Sequence, residues 1–118
     1  MTELSSTTRT TVAGPVLELT GELDHHTAPQ VRDLLPGLHV EPGQQLVIDL
    51  GGLTFCDSSG ITLLIAARNR ALAAHGTIAL ASVPAMVSRI FAIVGLTQVF
   101  TIHPTAQDAE AAWVRPGS

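Results

Sequence analysis

Leu46-Val47-Ile48-Asp49-Leu50, followed by Gly51-Gly52-Leu53-Thr54-Phe55-Cys56-Asp57 and then by Ser58 through Gly76, is the stretch that decides the fold. Its first five residues are nearly continuous apolar, the habit of a strand covered on both faces. Asp49, set inside that run, needs a hydrogen-bond partner and reads as structural. From Ser58 to about His75 the pattern is helical, and Gly76 stands where a left-handed helix cap is predicted. A doubly covered strand that feeds a helix is the repeating unit of a parallel α/β layer.

The neighbouring segments repeat the alternation. Upstream, Thr7–Val12 is polar and β-prone, Ala13-Gly14-Pro15 is a turn signal, and Val16–Thr20 alternates apolar and polar, which together predict an opening hairpin. Thr27 and Gln30 have the spacing of a capping box, with Pro29 tolerated in the first turn. Val31, Leu34, Leu35 and Leu38 then form one apolar stripe, which Pro36 is expected to kink or end early. Downstream, Thr77–Ala81 and Val99–Ile102 read as strands. One helix follows Pro84 and stops at Gly95, and another begins near Thr105 with Ala109, Ala112 and Trp113 on one face. The prediction is a single α/β domain over residues 1–118: a mixed, mostly parallel sheet with an opening hairpin, packed against about four helices.

Composition removes several functions. The 118 residues carry 46% hydrophobic and 14% charged side chains, enough for a core and too few charges for a disordered chain. Net charge is −4 with no basic stripe, and aromatics are only 3%, so direct nucleic-acid binding lacks both its electrostatic and its stacking support. The single Cys56 cannot make an internal disulfide or a cysteine metal cluster. Apolar runs are interrupted by Thr, Arg or Gly well short of the roughly 18 residues a membrane span requires. The start, Met1-Thr2-Glu3-Leu4, lacks the basic and apolar regions of a secretory signal, so a cytoplasmic location with no membrane partner is expected.

In an open α/β sheet, binding sites gather outside the carboxyl ends of the strands. Two polar segments answer that description: Gly21–His26, after the strand ending at Thr20, and Gly51–Gly60, after the strand ending near Leu50. If those strands run parallel, Asp24, Asp57 and Ser58 emerge on one edge. Taken alone, Ser58 reads as a helix cap, Asp24 as a solvated turn carboxylate and Asp57 as a local turn residue. In the helix that follows, Ile61, Leu64 and Ile65 can fill the core and Leu63, Ala66 and Ala67 include candidates for an exposed contact face, with core packing the favoured role for most of them.

Gly-Glu-Leu-Asp-His-His-Thr-Ala at 21–28, Phe55-Cys56-Asp57-Ser58-Ser59-Gly60-Ile61, Pro84–Phe91 and Gly95-Leu96 resemble, in order and spacing, the anti-sigma factor antagonists of the STAS superfamily, sporulation and general-stress type. The resemblance implies a non-enzymatic switch without a cofactor. It makes Ser58 the phosphorylation site and places Asp24, Asp57, Ser59, Gly60 and Thr62 at the partner surface. It implies binding, when unphosphorylated, to an anti-sigma factor with GHKL-type serine kinase activity, and restoration by a metal-dependent serine phosphatase. Thr62 departs from the small residue usual at that position, and Cys56 replaces a larger apolar one. The same superfamily includes STAS subunits of lipid-transport ABC systems and parts of stress-sensing assemblies; the intact Asp57-Ser58-Ser59-Gly60 stretch favours the sigma pathway.

An enzymatic reading fares worse. Asp24, His25 or His26, and Ser58 supply the residue types of a hydrolase triad, yet no nucleophile elbow surrounds Ser58 and no glycine-rich oxyanion loop is present. The adjacent His25 and His26 lack the i, i+4 spacing of a helical zinc pair, so no metal site is expected.

Overall fold

The computed structural model describes residues 3–114; residues 1, 2 and 115–118 of the expected domain lie outside them. Five strands and four helices alternate after an opening hairpin: β1 (Leu4–Thr11), β2 (Gly14–Leu23), α1 (Ala28–Leu34), β3 (Gln45–Cys56), α2 (Ser58–Ala73), β4 (Thr77–Ala81), α3 (Ala85–Val94), β5 (Thr101–His103) and α4 (Ala106–Ala112). Short 3-10 turns follow α1 at Leu35–Gly37 and α3 at Leu96–Gln98. The sheet order is β1-β2-β3-β4-β5, with β1 antiparallel to β2 and all other neighbours parallel.

The period of two along the strands explains why β3 looked apolar throughout. Leu46, Ile48 and Leu50 face one side with Leu17, Leu19, Ile78 and Leu80, and there meet buried residues of α1, α2 and α3. Val47 faces the other side with Val16, Ala79 and Ala81, beneath Ala106 and Ala109 of α4. Alanines on both surfaces let α4 lie close to the sheet. Asp49, on the α4 side, finds its partner locally, accepting from the Gly51 N–H at 2.9 Å.

Several expectations change. β3 does not end near Leu50 but runs to Cys56, because β3 contributes an extra residue at two places in its pairing with β2 (Glu18↔Asp49, Thr20↔Gly52, Glu22↔Phe55). The buried positions Leu50, Leu53 and Cys56 are therefore three apart instead of two, and the strand signal is lost to a strict alternation. The buried stripe of α2 is Gly60, Leu63, Leu64, Ala67 and Ala71, so Leu63 and Ala67 are core and Ile65 is exposed. The stripe starts one residue earlier than expected because glycine at 60 lets the helix approach the sheet. The left-handed residue after α2 is His75 (φ 63°), not Gly76. Gly76 instead packs where a Cβ would come within 2.6 Å of Val40 Cγ1.

In α4 the buried residues are Ala106 and Ala109; Ala112 is exposed, and Trp113 anchors the chain by donating its indole N–H to the Gly43 carbonyl at 3.0 Å. The helix interrupted by Pro36 does end early, at Leu34, and Gly95 (φ 80°) closes α3 as expected. Within the α1 stripe Val31 and Leu35 are buried, while Leu34 turns toward solvent.

Leu64 is fully buried where α2 meets the sheet. Leu64→Ala is expected to lower stability by about 2–5 kcal/mol in a urea titration, through lost burial and the cavity left behind.

Candidate functional site

β2 and β3 run parallel and end in register, Leu23 beside Cys56. The next residue on each chain segment is an aspartate, so Asp24 and Asp57 leave the sheet side by side. The Asp57 N–H ties the two exits together by donating to the Leu23 carbonyl at 3.2 Å. Glu22, Asp24, His25, His26, Phe55 and Asp57 line an open depression of about 440 Å³ at this edge.

Asp57 is the N-cap of α2. Its Oδ1 accepts from the backbone N–H of Ser59 at 2.8 Å and of Gly60 at 3.2 Å. The capping role that Ser58 could have filled is therefore taken. Ser58 is the first residue of α2, exposed, and its hydroxyl is bonded to no described residue. The Thr62 hydroxyl, also exposed, donates to the Ser58 carbonyl at 3.0 Å and braces the first turn. Ser59 is half-buried. Gly60 is buried, and a Cβ there would meet Cys56 Sγ at 2.7 Å and Leu23 Cγ at 2.9 Å. Its absence of a side chain seats α2 on the strand ends, and it presents no accessible side chain.

Asp24 is not the solvated turn carboxylate of the bland reading; only 5% of its surface is exposed. Its Oδ1 accepts from the N–H of His26 at 2.9 Å and from the N–H of Thr27 at 3.1 Å, with the Thr27 hydroxyl oxygen 3.3 Å away. Burial pushes its pKa up, but the bonds from Thr27 and His26 and the nearby His26 charge outweigh that and hold it below the usual carboxylate range. The expected capping box does not form. Thr27 occupies the N-cap of α1 without capping it, because its hydroxyl is drawn back to donate to the Glu22 carbonyl at 2.7 Å and accept from the Asp24 N–H at 3.0 Å. The His25 and His26 rings lie beside each other, 3.9 Å between centroids.

Cys56 is buried, and burial together with the Asp57 charge pushes its thiol up to about 11. At neutral pH it is a protonated apolar filler, not a nucleophile. Among the described residues no group of three or more His, Cys, Asp or Glu side chains could hold a metal, and no helix is long and apolar enough to cross a membrane.

The family model described as "Mlab, STAS domain" matches residues 6–103. The chain belongs to the STAS family. It is 33% identical to the anti-sigma F factor antagonist of Lysinibacillus sphaericus, over 80% of this chain and 79% of that one. The crystal structure of an anti-sigma factor antagonist from Mycobacterium paratuberculosis superposes with a TM-score of 0.82 at 25% identity, covering 94% of both chains. The Bacillus cell fate determinant SpoIIAA in its phosphorylated form shares the fold, with a TM-score of 0.68 at 23% identity over 91% of this chain and 97% of that one. The first two of these relatives are named as anti-sigma factor antagonists.

Sequence reasoning found Asp24, Asp57 and Ser58 as neighbours, but it missed Phe55. This aromatic, 45% exposed, lines the depression because the second irregularity in β3 turns it outward. Two outcomes follow from the carboxylates. Asp57→Ala is expected to cost about 0.5–2 kcal/mol of stability, and Asp57→Asn much less, by thermal or urea unfolding. Asp24 has a folded pKa below its unfolded value, so its stabilisation is complete at neutral pH and lost as pH falls below about 4. Asp24→Asn should flatten that acid limb in unfolding curves measured across pH.

Proposed function

We propose that this STAS protein is an anti-sigma factor antagonist whose binding is switched off by phosphorylation of Ser58. In this reading the unphosphorylated form binds an anti-sigma factor that is also a GHKL-type serine kinase, and a sigma factor is thereby released. The kinase transfers a phosphate to the Ser58 hydroxyl and the complex dissociates; a metal-dependent phosphatase resets the switch. Asp24, Asp57, Ser59 and Thr62 belong to the docking edge, with Gly60 setting its height.

The observation that carries this reading is the free Ser58 hydroxyl at the start of α2, exposed and relieved of capping by Asp57. A phosphate there adds about −1.5 to −2 charges. The Ser59 and Gly60 N–H groups are already bonded to Asp57, so the phosphate is not drawn into the cap and stays at the surface. The positive end of the α2 macrodipole tolerates it within the molecule. A partner packed on that edge meets a doubly charged group beside the Asp24 and Asp57 carboxylates, and must desolvate or avoid it. The mechanism is a surface charge block, not a refolding.

The named relatives support the sigma pathway over a role as transport-system subunit, and the phosphorylated SpoIIAA supports a phosphate on this fold. A pull-down from source cells with wild type, Ser58→Ala and Ser58→Asp baits, read by mass spectrometry, tests it. Wild type and Ser58→Ala should retain a GHKL-type kinase, with Ser58→Asp binding at least about tenfold weaker, or about 1.4 kcal/mol. Equal retention by all three baits, or phosphate mapped to a residue other than Ser58, contradicts the proposal.

A further inference from the structure

The sheet has two edges, and they are built differently. β5 is three residues long and runs directly into Pro104, both of which blunt strand addition. β1 is eight residues long, contains no proline, and pairs with β2 without a break from Leu4↔Gly21 to Thr11↔Gly14. Ser5 through Thr10 are all exposed, and Arg9 is the only charged residue of the strand. Among the described residues this edge has no proline and no bulge, and Arg9 is its one charge.

Alternation identifies the free backbone groups. The Glu22 N–H donates to the Glu3 carbonyl at 2.9 Å, so Glu3, Ser5, Thr7, Arg9 and Thr11 turn their amide groups toward β2. Leu4, Ser6, Thr8 and Thr10 turn theirs away from the sheet.

We propose that β1 is a self-association edge: two copies of the chain join β1 to β1, antiparallel about a two-fold axis at Ser6, into one ten-stranded sheet. In this register Ser6 faces the partner's Ser6 and Leu4 faces the partner's Thr8, so outward amides meet outward amides. Glu3 then stands opposite the partner's Arg9, and this happens twice by symmetry. Both are non-hydrogen-bonded positions, where Cα atoms of a pair come within about 4.5 Å and side chains lie closest. Shifting the axis to Thr7 also matches the amides, but it sets Arg9 opposite the partner's Ser5 and leaves no charge pair. Charge complementarity thus selects both the register and a second copy as occupant. Arg9 already holds Glu18 through Nε at 3.4 Å, and its remaining guanidinium donors are available to a second carboxylate. Antiparallel joining sends the two carboxyl-end edges of the sheets to opposite ends of the dimer, so both Ser58 sites stay accessible.

Sedimentation velocity across a concentration series tests this. Wild type should approach twice its 12.3 kDa mass as concentration rises. Glu3→Arg and Arg9→Glu, which each oppose like charges at both positions, should self-associate at least about tenfold more weakly. An equimolar mixture of these two variants should dimerise again, since each offers the charge the other lacks. Thr8→Pro removes an outward donor and should be monomeric with an unchanged circular dichroism spectrum. A 12.3 kDa species at every concentration up to those of NMR samples overturns the proposal. So does a dimer that survives Thr8→Pro, or a mixture that stays monomeric when wild type does not.

Discussion

The Asp57 carboxylate holds the Ser59 and Gly60 N–H groups at 2.8 and 3.2 Å, and the position of the candidate switch depends on that cap. Without it the first turn of α2 has free backbone donors that a neighbouring hydroxyl would be drawn to satisfy. With it, Ser58 has no structural duty. The same residue ties the strand ends together through the bond from its own N–H to the Leu23 carbonyl, so cap, sheet edge and Ser58 meet at one corner. Thr62, bonded to the Ser58 carbonyl, stiffens that corner from the next turn.

Packing supports the corner from below. Gly60 lets α2 descend onto Leu23 and Cys56, and Leu63, Leu64 and Ala67 continue the buried stripe. The second carboxylate is fixed independently: Asp24 is held by the backbone of its own loop, and Thr27 is bent back to serve that loop instead of capping α1. Two acidic groups are therefore set into the edge before any partner or phosphate arrives. Such a surface accepts a neutral hydroxyl readily and resists burial of a further anion.

The layer order was legible because β3 lies between helices on both faces, which prints a continuous apolar run, and because caps and breakers such as Pro36 and Gly95 act locally. Asp24, Asp57 and Ser58 were recognisable as neighbours from strand direction alone. The extent of β3 was not, since two irregularities shift its buried residues from spacing two to spacing three. Asp57 and Ser58 are both good cap residues by type, and the structure gives the cap to Asp57, the first residue past the end of β3. The failed capping box at Thr27 reflects competition from the Glu22 carbonyl, a partner supplied by the path of the chain.

Central to this view is that a phosphate on Ser58 acts by its charge at the surface while the corner beneath it stays intact. Amide NMR spectra of the phosphorylated and unphosphorylated protein test that most directly. Shifts confined to residues 22–27 and 55–62, with the Ser59 and Gly60 amides still protected from exchange, are predicted. Shifts spread through β4, β5 and α3, or loss of protection at those two amides, would contradict it.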